Sequence, residues 1–71
     1  MFNKSKFKAK IVENNLSLAK VAELLGINEA TLHRKMNGVS DFSRSEIQLL
    51  RQILNMSSNE SEEIFFAVKL A

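Results

Sequence analysis

The sequence contains no cysteine, no proline and no tryptophan, and it has a single histidine and only two glycines. The absence of cysteine excludes disulfides and thiolate metal sites within the chain. A lone histidine lacks the companions that a metal site or a catalytic triad requires, and no glycine-rich phosphate loop is present. We therefore expect no catalytic residues, no cofactor and no metal, and we do not expect an enzyme.

Long hydrophobic runs are also missing. The longest useful one, IFFAV at residues 64–68, is much shorter than the ~20 residues that a membrane span needs. The basic first ten residues contain no apolar stretch of the kind found in signal peptides. These observations predict a cytoplasmic protein that has no membrane partner.

The 71 residues are enough for one small domain, which we expect to cover residues 1–71. The net charge is only +2, but basic and acidic side chains are unevenly distributed along the chain. The two groups are Lys4, Lys6, Lys8 and Lys10 near the start and Glu60, Glu62 and Glu63 near the end. This distribution predicts a basic body with an acidic patch away from it, which suits a polyanion partner. From charge alone, a solvated lysine face is the simpler interpretation.

Apolar spacing predicts an all-α fold, because residues three and four positions apart recur while strict alternation is absent. Phe7 and Ile11 mark the inward face of a first helix, with Val12 as a third candidate. The five predicted helices cover about 4–14, Leu18–Leu25, Glu29–Met36, about 44–54, and a short segment after Ser57. The predicted inward residues of the later helices are Val21, Ala22, Leu25, Leu32, Met36, Ile47, Leu50, Ile53 and Leu54.

Helix starts are predicted by capping residues. Ser17 and Asn28 are suitable N-caps, and residues 43–46 and 57–60 both have the S-x-x-E form of a capping box. The final FFAVKLA gives no clear pattern, and a strand, a helix end and a docking arm all stay open.

Gly26 lies inside LAKVAELLGINEATLHRKMNG, residues 18–38, between two segments with helical spacing. A tight turn between helices needs one residue with positive φ, which glycine adopts at low cost. Ala22 is small enough to let two helices approach, and Ile27 can fill the core from the turn. The set that together predicts a helix-turn-helix is Val21, Ala22, Leu25, Gly26, Ile27 and Leu32.

VAELLGINEATLHRKMNG resembles the Cro and phage-repressor family of helix-turn-helix proteins, also called the XRE family. With SRSEIQLLRQIL and EIFF, the resemblance extends over residues 7–66 to small repressor-type proteins of Gram-positive phages and prophages. It implies a compact five-helix bundle whose third helix lies in the major groove of double-stranded operator DNA. It also implies a transcriptional regulator of the bacterial cytoplasm, found at the nucleoid when bound, and near-palindromic operators.

The resemblance makes the outward side of the third helix the candidate base-reading surface. Arg34 is the best candidate, since its guanidinium can bond guanine O6 and N7 together, while Ala30 and Thr31 can contact a thymine methyl. The predicted base-reading residues are Glu29, Ala30, Thr31, His33 and Arg34. The predicted phosphate-binding residues, chosen at helix ends or for their charge, are Ser17, Lys35, Asn37, Ser43, Arg44 and Lys10. For Lys35 a solvated position is an equally good interpretation.

An alternative function follows from three departures from the family pattern. Leu18 and Leu24 are apolar where the family often has polar residues, and Glu29 stands where it often has serine, glutamine or lysine. These residues favour a repressor-like interaction module, an anti-repressor, that binds a partner repressor instead of DNA.

A second copy of the chain is a further candidate partner, because the tail 65–71 is more apolar than an exposed end should be. We expect either Phe65 or Phe66 to pack onto the helices. The other, with Val68 and Leu70, would then be available to a homodimer interface.

Overall fold

The computed structural model describes residues 2–66, which form five α-helices and no strand. The helices are α1 (Lys4–Glu13), α2 (Leu18–Leu25), α3 (Glu29–Met36), α4 (Arg44–Ile53) and α5 (Ser58–Phe65). The predicted all-α class and the five helices are confirmed, and the bounds of α2 and α3 agree with the prediction to the residue. Helix α1 ends one residue earlier than predicted, and Asn14 is its C-cap.

Every helix starts at a side chain that accepts a backbone N–H from its first turn, where the helix itself offers no acceptor. The N-caps are Asn3, Ser17, Asn28, Ser43 and Ser57. Both predicted capping boxes are confirmed: Glu46 accepts the Ser43 N–H at 2.7 Å, and Glu60 accepts the Ser57 N–H at 2.9 Å. Local sequence therefore determines where each helix begins.

Three of the four connections share one design, in which a left-handed residue is followed by an apolar residue and then by the next N-cap. They are Asn15-Leu16-Ser17, Gly26-Ile27-Asn28 and Asn55-Met56-Ser57. In each, the apolar residue donates its N–H to the carbonyl five positions earlier, as in a Schellman motif. The apolar side chain is buried or packs against the core. Each connection thus ends one helix, adds to the core and starts the next helix.

The core lies among all five helices, with α2 against α3 and α4, and α5 against α1 and α4. Its buried hydrophobic residues are Phe7, Ile11, Val21, Ala22, Leu32, Met36, Leu50, Leu54, Met56, Ile64 and Phe65. Leu25, Ile47 and Ile53 were predicted to face inward and are partly buried against this cluster. The expectation for Val12 was wrong: its side chain is 72% exposed, because Phe7 and Ile11 alone define the inward face of α1.

Four of the five phenylalanines form an aromatic cluster, and they come from distant parts of the chain. The cluster contains Phe2, Phe7, Phe42 and Phe65, with ring centroids 5.1–6.2 Å apart. The backbone N–H of Asn3 donates to the Ile64 carbonyl at 2.6 Å, which fixes the N-terminal segment against α5. Phe65 is therefore the tail residue that packs onto the bundle. Val68 and Leu70 lie outside the described residues.

Candidate nucleic-acid interface

Helix α3 separates its apolar residues from its polar ones. Leu32 and Met36 are buried in the core, whereas most of the remaining side chains are exposed or half-exposed. A row with helical spacing, Ala30, His33, Arg34 and Asn37, is exposed at successive turns. The row starts beside Glu29, which is also exposed. Four of the five predicted base-reading residues, Glu29, Ala30, His33 and Arg34, are therefore exposed, and Thr31 is half-buried.

Thr31 links the start of α3 to its central arginine. The Asn28 side-chain oxygen accepts the Thr31 N–H at 2.7 Å, so the N-cap fixes the first turn. The Thr31 hydroxyl in turn accepts a hydrogen bond from Arg34 Nη2 at 3.1 Å. This contact holds the guanidinium along the helix surface, and the other N–H groups of the fork stay available to a ligand.

The two serines predicted to contact phosphate occupy different electrostatic surroundings. Ser17 accepts the Lys20 N–H at 3.1 Å, and the first turn of α2 carries no acidic residue. Ser43 is instead enclosed by its capping box, since Glu46 takes the Ser43 N–H and the Glu46 N–H bonds the Ser43 hydroxyl. A carboxylate near an anion site is repulsive, so the start of α2 is the better of the two for a phosphate.

Lys35 connects the end of α3 to the start of α4. Its ammonium lies 3.2 Å from a Glu46 carboxylate oxygen and donates to the Asp41 carbonyl at 2.8 Å, and its side chain is only 15% exposed. Partial burial raises the pKa of Glu46, but the Ser43 N–H and the Lys35 ammonium lower it by more, to below the ordinary value of 4.5. Lys35 is therefore placed as an internal ion-pair partner, and a phosphate would have to displace Glu46.

The acidic residues of α5 do not form a separate patch, contrary to the prediction from charge distribution. Lys6 pairs with Glu63 at 2.6 Å, and Lys10 pairs with Glu60 at 3.0 Å and with Glu13 at 3.3 Å. Because α1 packs against α5, Lys6 and Lys10 neutralise Glu63 and Glu60. A phosphate role for Lys10 would compete with these pairs, and its side chain is 11% exposed.

These pairs shift the pKa values of both partners. The Glu60 carboxylate raises the pKa of Lys10 above its ordinary value of 10.5, and Glu13 adds to this effect against the opposing effect of burial. The Ser57 N–H, followed by the Lys10 ammonium, lowers the pKa of Glu60 below 4.5. Both side chains are therefore charged at neutral pH.

Lys4 is a basic residue of this surface that sequence reasoning did not assign. Its ammonium donates to the Asn37 side-chain oxygen at 2.7 Å, so the first turn of α1 reaches the C-cap of α3. The partner is neutral, and no ion pair to Lys4 occurs within residues 2–66. No local pattern joins residues so far apart in the chain, which explains why the sequence alone did not reveal this contact.

Comparisons with protein-family models, curated proteins and solved structures gave no match. Within the part of the chain that the structure describes, no group of three or more potential metal ligands occurs. None of the helices in that part is long and apolar enough to cross a membrane.

The residues that favoured a protein partner are only partly accessible. Leu24 is 43% exposed on α2, whereas Leu18 is partly buried and packs against the core. Glu29 is exposed and forms no ion pair among residues 2–66. Leu24 and Glu29 flank the connection between α2 and α3, so an apolar group and an acidic group stand on either side of that turn.

Proposed function

We propose that this chain is a sequence-specific DNA-binding transcriptional regulator of repressor or Cro type. In this proposal α2 and α3 act as a helix-turn-helix, and α3 is the recognition helix. The supporting observation is the exposed row on α3, since it places Ala30, His33, Arg34 and Asn37 opposite the buried Leu32 and Met36. An α-helix with its side chains is about 10–12 Å in diameter, which is close to the width of the major groove.

Each exposed group has a chemical role in this proposal. Arg34, held by Thr31, reads guanine through two hydrogen bonds, and Ala30 contacts a thymine methyl. His33 donates to a base or a phosphate, and Glu29 accepts from a cytosine amino group. Base contacts of this kind specify the sequence, whereas phosphate contacts fix the register of the protein on the duplex.

The phosphate contacts come from side chains without an internal ion pair. Ser17 at the start of α2, Arg44 at the start of α4, and Lys4 with Asn37 at the end of α3 meet this condition. Lys35 and Lys10 are engaged by Glu46 and Glu60, so in this proposal they position helices and do not hold phosphates. The protein then acts sterically, by occupying an operator and excluding polymerase or a rival regulator.

The deciding experiment is selection from a random duplex DNA library at low salt, followed by sequencing of the retained fraction. We expect an enriched, near-palindromic motif. Arg34→Ala should abolish the enrichment, whereas Arg34→Lys should keep non-specific affinity and weaken the guanine preference, because lysine lacks the planar fork. If the wild-type protein enriches no motif, the DNA-reading proposal is wrong.

The second candidate function is an anti-repressor that binds a partner repressor. It is supported by exposed Leu24 and by Glu29, which would repel phosphates. This function predicts a stable complex with a repressor from the native host, and a loss of that complex in Leu24→Ser. Recovery of DNA alone in a pull-down from that host would count against it.

We also propose that two copies bind together, since near-palindromic operators place half-sites about 34–36 Å apart. The tail beyond Phe66 is the candidate interface. Truncation after Phe66 leaves the aromatic cluster intact, because Phe65 is kept. Sedimentation should show a dimer for the full chain and a monomer for the truncated one. The same oligomeric state for both would show that the tail is not part of the interface.

A further inference from the structure

A groove of about 630 Å³ lies between α4 and α5, away from the exposed row on α3. Its apolar lining comes from Phe42, Ile47 and Phe66, and its basic lining from Arg44 and Arg51. The groove residues from α4 are Arg44, Ile47, Gln48 and Arg51, whose spacing places them on one helix face. This face therefore combines positive charge with apolar surface.

The two arginines are spaced in a defined way. Arg51 lies seven positions after Arg44, so their Cα atoms lie roughly 10 Å apart along α4. Neither arginine forms an ion pair within residues 2–66, whereas Lys6, Lys10 and Lys35 each pair with a glutamate. Arg51 Nη2 donates to the Ser58 hydroxyl at 3.0 Å, which holds the guanidinium between α4 and α5.

Phe66 supplies the apolar contact. It is the one phenylalanine of the chain outside the aromatic cluster, and it is 57% exposed at the C-cap of α5. An exposed phenylalanine beside arginines has the composition of an interaction hot spot, where an aromatic or arginine anchor dominates the binding energy.

We propose that this groove binds an amphipathic helix of another protein that carries two carboxylates seven residues apart. Such a helix matches the spacing of Arg44 and Arg51, and an apolar side chain three or four residues after its first carboxylate would meet Ile47 and Phe66. Glu62 also lines the groove, so its charged lining is mixed and remains net positive. Arg44 is shared with the proposed phosphate contacts, so the test relies on Arg51 and Phe66, which the DNA-reading proposal does not use.

The test uses the full chain as bait in a display selection from random 15-residue peptides, with Arg51→Glu as the counter-bait. We expect enriched peptides with acidic residues at positions i and i+7 and an apolar residue at i+3 or i+4. Their affinity should fall at least tenfold in Arg51→Glu and in Phe66→Ala. Lys8→Glu, exposed on α1 and outside the groove, is the charge-matched control and should change affinity less than twofold.

Other occupants are distinguished in the same samples. Enriched peptides without the acidic pair, no enrichment, or enrichment that survives Arg51→Glu would overturn the proposal. A dimer of the unliganded protein that Arg51→Glu dissociates would assign the groove to a second copy. Magnetisation transfer between Val68 or Leu70 and Phe42 in the monomer would assign it to the chain's own tail.

Discussion

Positive φ angles occur at four residues within 2–66, and each of them follows the end of a helix. Two are glycines, Gly26 and Gly38, and two are asparagines, Asn15 and Asn55. Asparagine tolerates this conformation better than other side chains, which is why a chain with two glycines can make four such turns. At Gly26 a Cβ would meet nothing within 4 Å, so backbone conformation alone restricts the residue.

Gly26→Ala should therefore destabilise the protein by about 1–2 kcal/mol, because alanine is strained at φ +75°. Gly26→Asn should cost less, since asparagine holds the equivalent place in two other connections. Urea unfolding monitored by circular dichroism measures both. Equal losses for the two variants would contradict the conformational explanation and indicate crowding at the turn.

Substitutions of Lys35 and Lys4 distinguish a lysine that is held in an internal ion pair from one that contacts DNA. Lys35→Ala should lower the free energy of unfolding by about 1–2 kcal/mol, because it leaves Glu46 without its ammonium partner. It should leave the salt dependence of DNA binding unchanged. Lys4→Ala should change stability by less than about 0.5 kcal/mol and reduce the slope of log affinity against log salt by about 1. The reverse result would make Lys35 the phosphate ligand.

At the scale of helices, the two capping boxes have a second function. In each, the glutamate that closes the box also pairs with a lysine from another helix: Glu46 with Lys35 of α3, and Glu60 with Lys10 of α1. The start of a helix is thereby attached to its neighbour by the same carboxylate that caps it. This arrangement couples helix initiation in α4 and α5 to tertiary packing.

This coupling predicts a loss of stability in acid. Both glutamates have a pKa below 4.5, so their contribution is complete above that value and is lost as pH falls through the lowered pKa. The double variant Glu46→Gln, Glu60→Gln keeps an acceptor for each box but loses the charge. Its midpoint of thermal unfolding should fall less than that of the wild type between about pH 6 and pH 3.

Glu29→Gln is the control for that experiment, because Glu29 is exposed and has no ion pair within residues 2–66. The midpoint of thermal unfolding of this variant should change with pH as that of the wild type does. Parallel profiles for the double variant and the wild type would show that the two ion pairs do not contribute to acid sensitivity.

The helices could be predicted from sequence because their signals are local. Ser17, Asn28 and Gly26 act within four residues of themselves, so they determine the bounds of α2 and α3 wherever the rest of the chain lies. The pairing of Lys10 with Glu60 could not be predicted in this way. It depends on α1 packing against α5, and sequence spacing contains no information about which distant helices meet.

For the candidate site the same distinction applies. The exposure of Ala30, His33 and Arg34 follows from helical periodicity once Leu32 and Met36 are buried, and it was predicted. The engagement of Lys35 by Glu46 depends on the path of the loop between α3 and α4, which has no periodicity. The sequence shows which residues are basic, but only the tertiary structure shows which of them form ion pairs.

At the scale of the whole molecule, the aromatic cluster joins the N-terminal segment, α1, the α3–α4 loop and α5. Phe7→Ala should lower the free energy of unfolding by about 3–5 kcal/mol, because the ring is fully buried. This loss would be a large part of the total stability of a domain of this size. Phe66→Ala, at an exposed phenylalanine, should cost less than about 1 kcal/mol. Chemical denaturation measures the free energy of unfolding of both variants. Similar losses of stability in the two would mean that the aromatic cluster is not a main source of stability.

The hydrogen bond from Asn3 to Ile64 has a consequence for native-state dynamics. Segments near chain ends usually fray first, but here Phe2 and Phe65 share a cluster that must break before the segment preceding α1 or the end of α5 can open. The longest connection, residues 37–43, is instead largely exposed. Among residues 2–66, the amide hydrogens of Ser40 and Asp41 should exchange fastest, so the segment that opens most readily lies mid-chain beside the end of α3, while Phe2 and Phe65 stay held in the cluster.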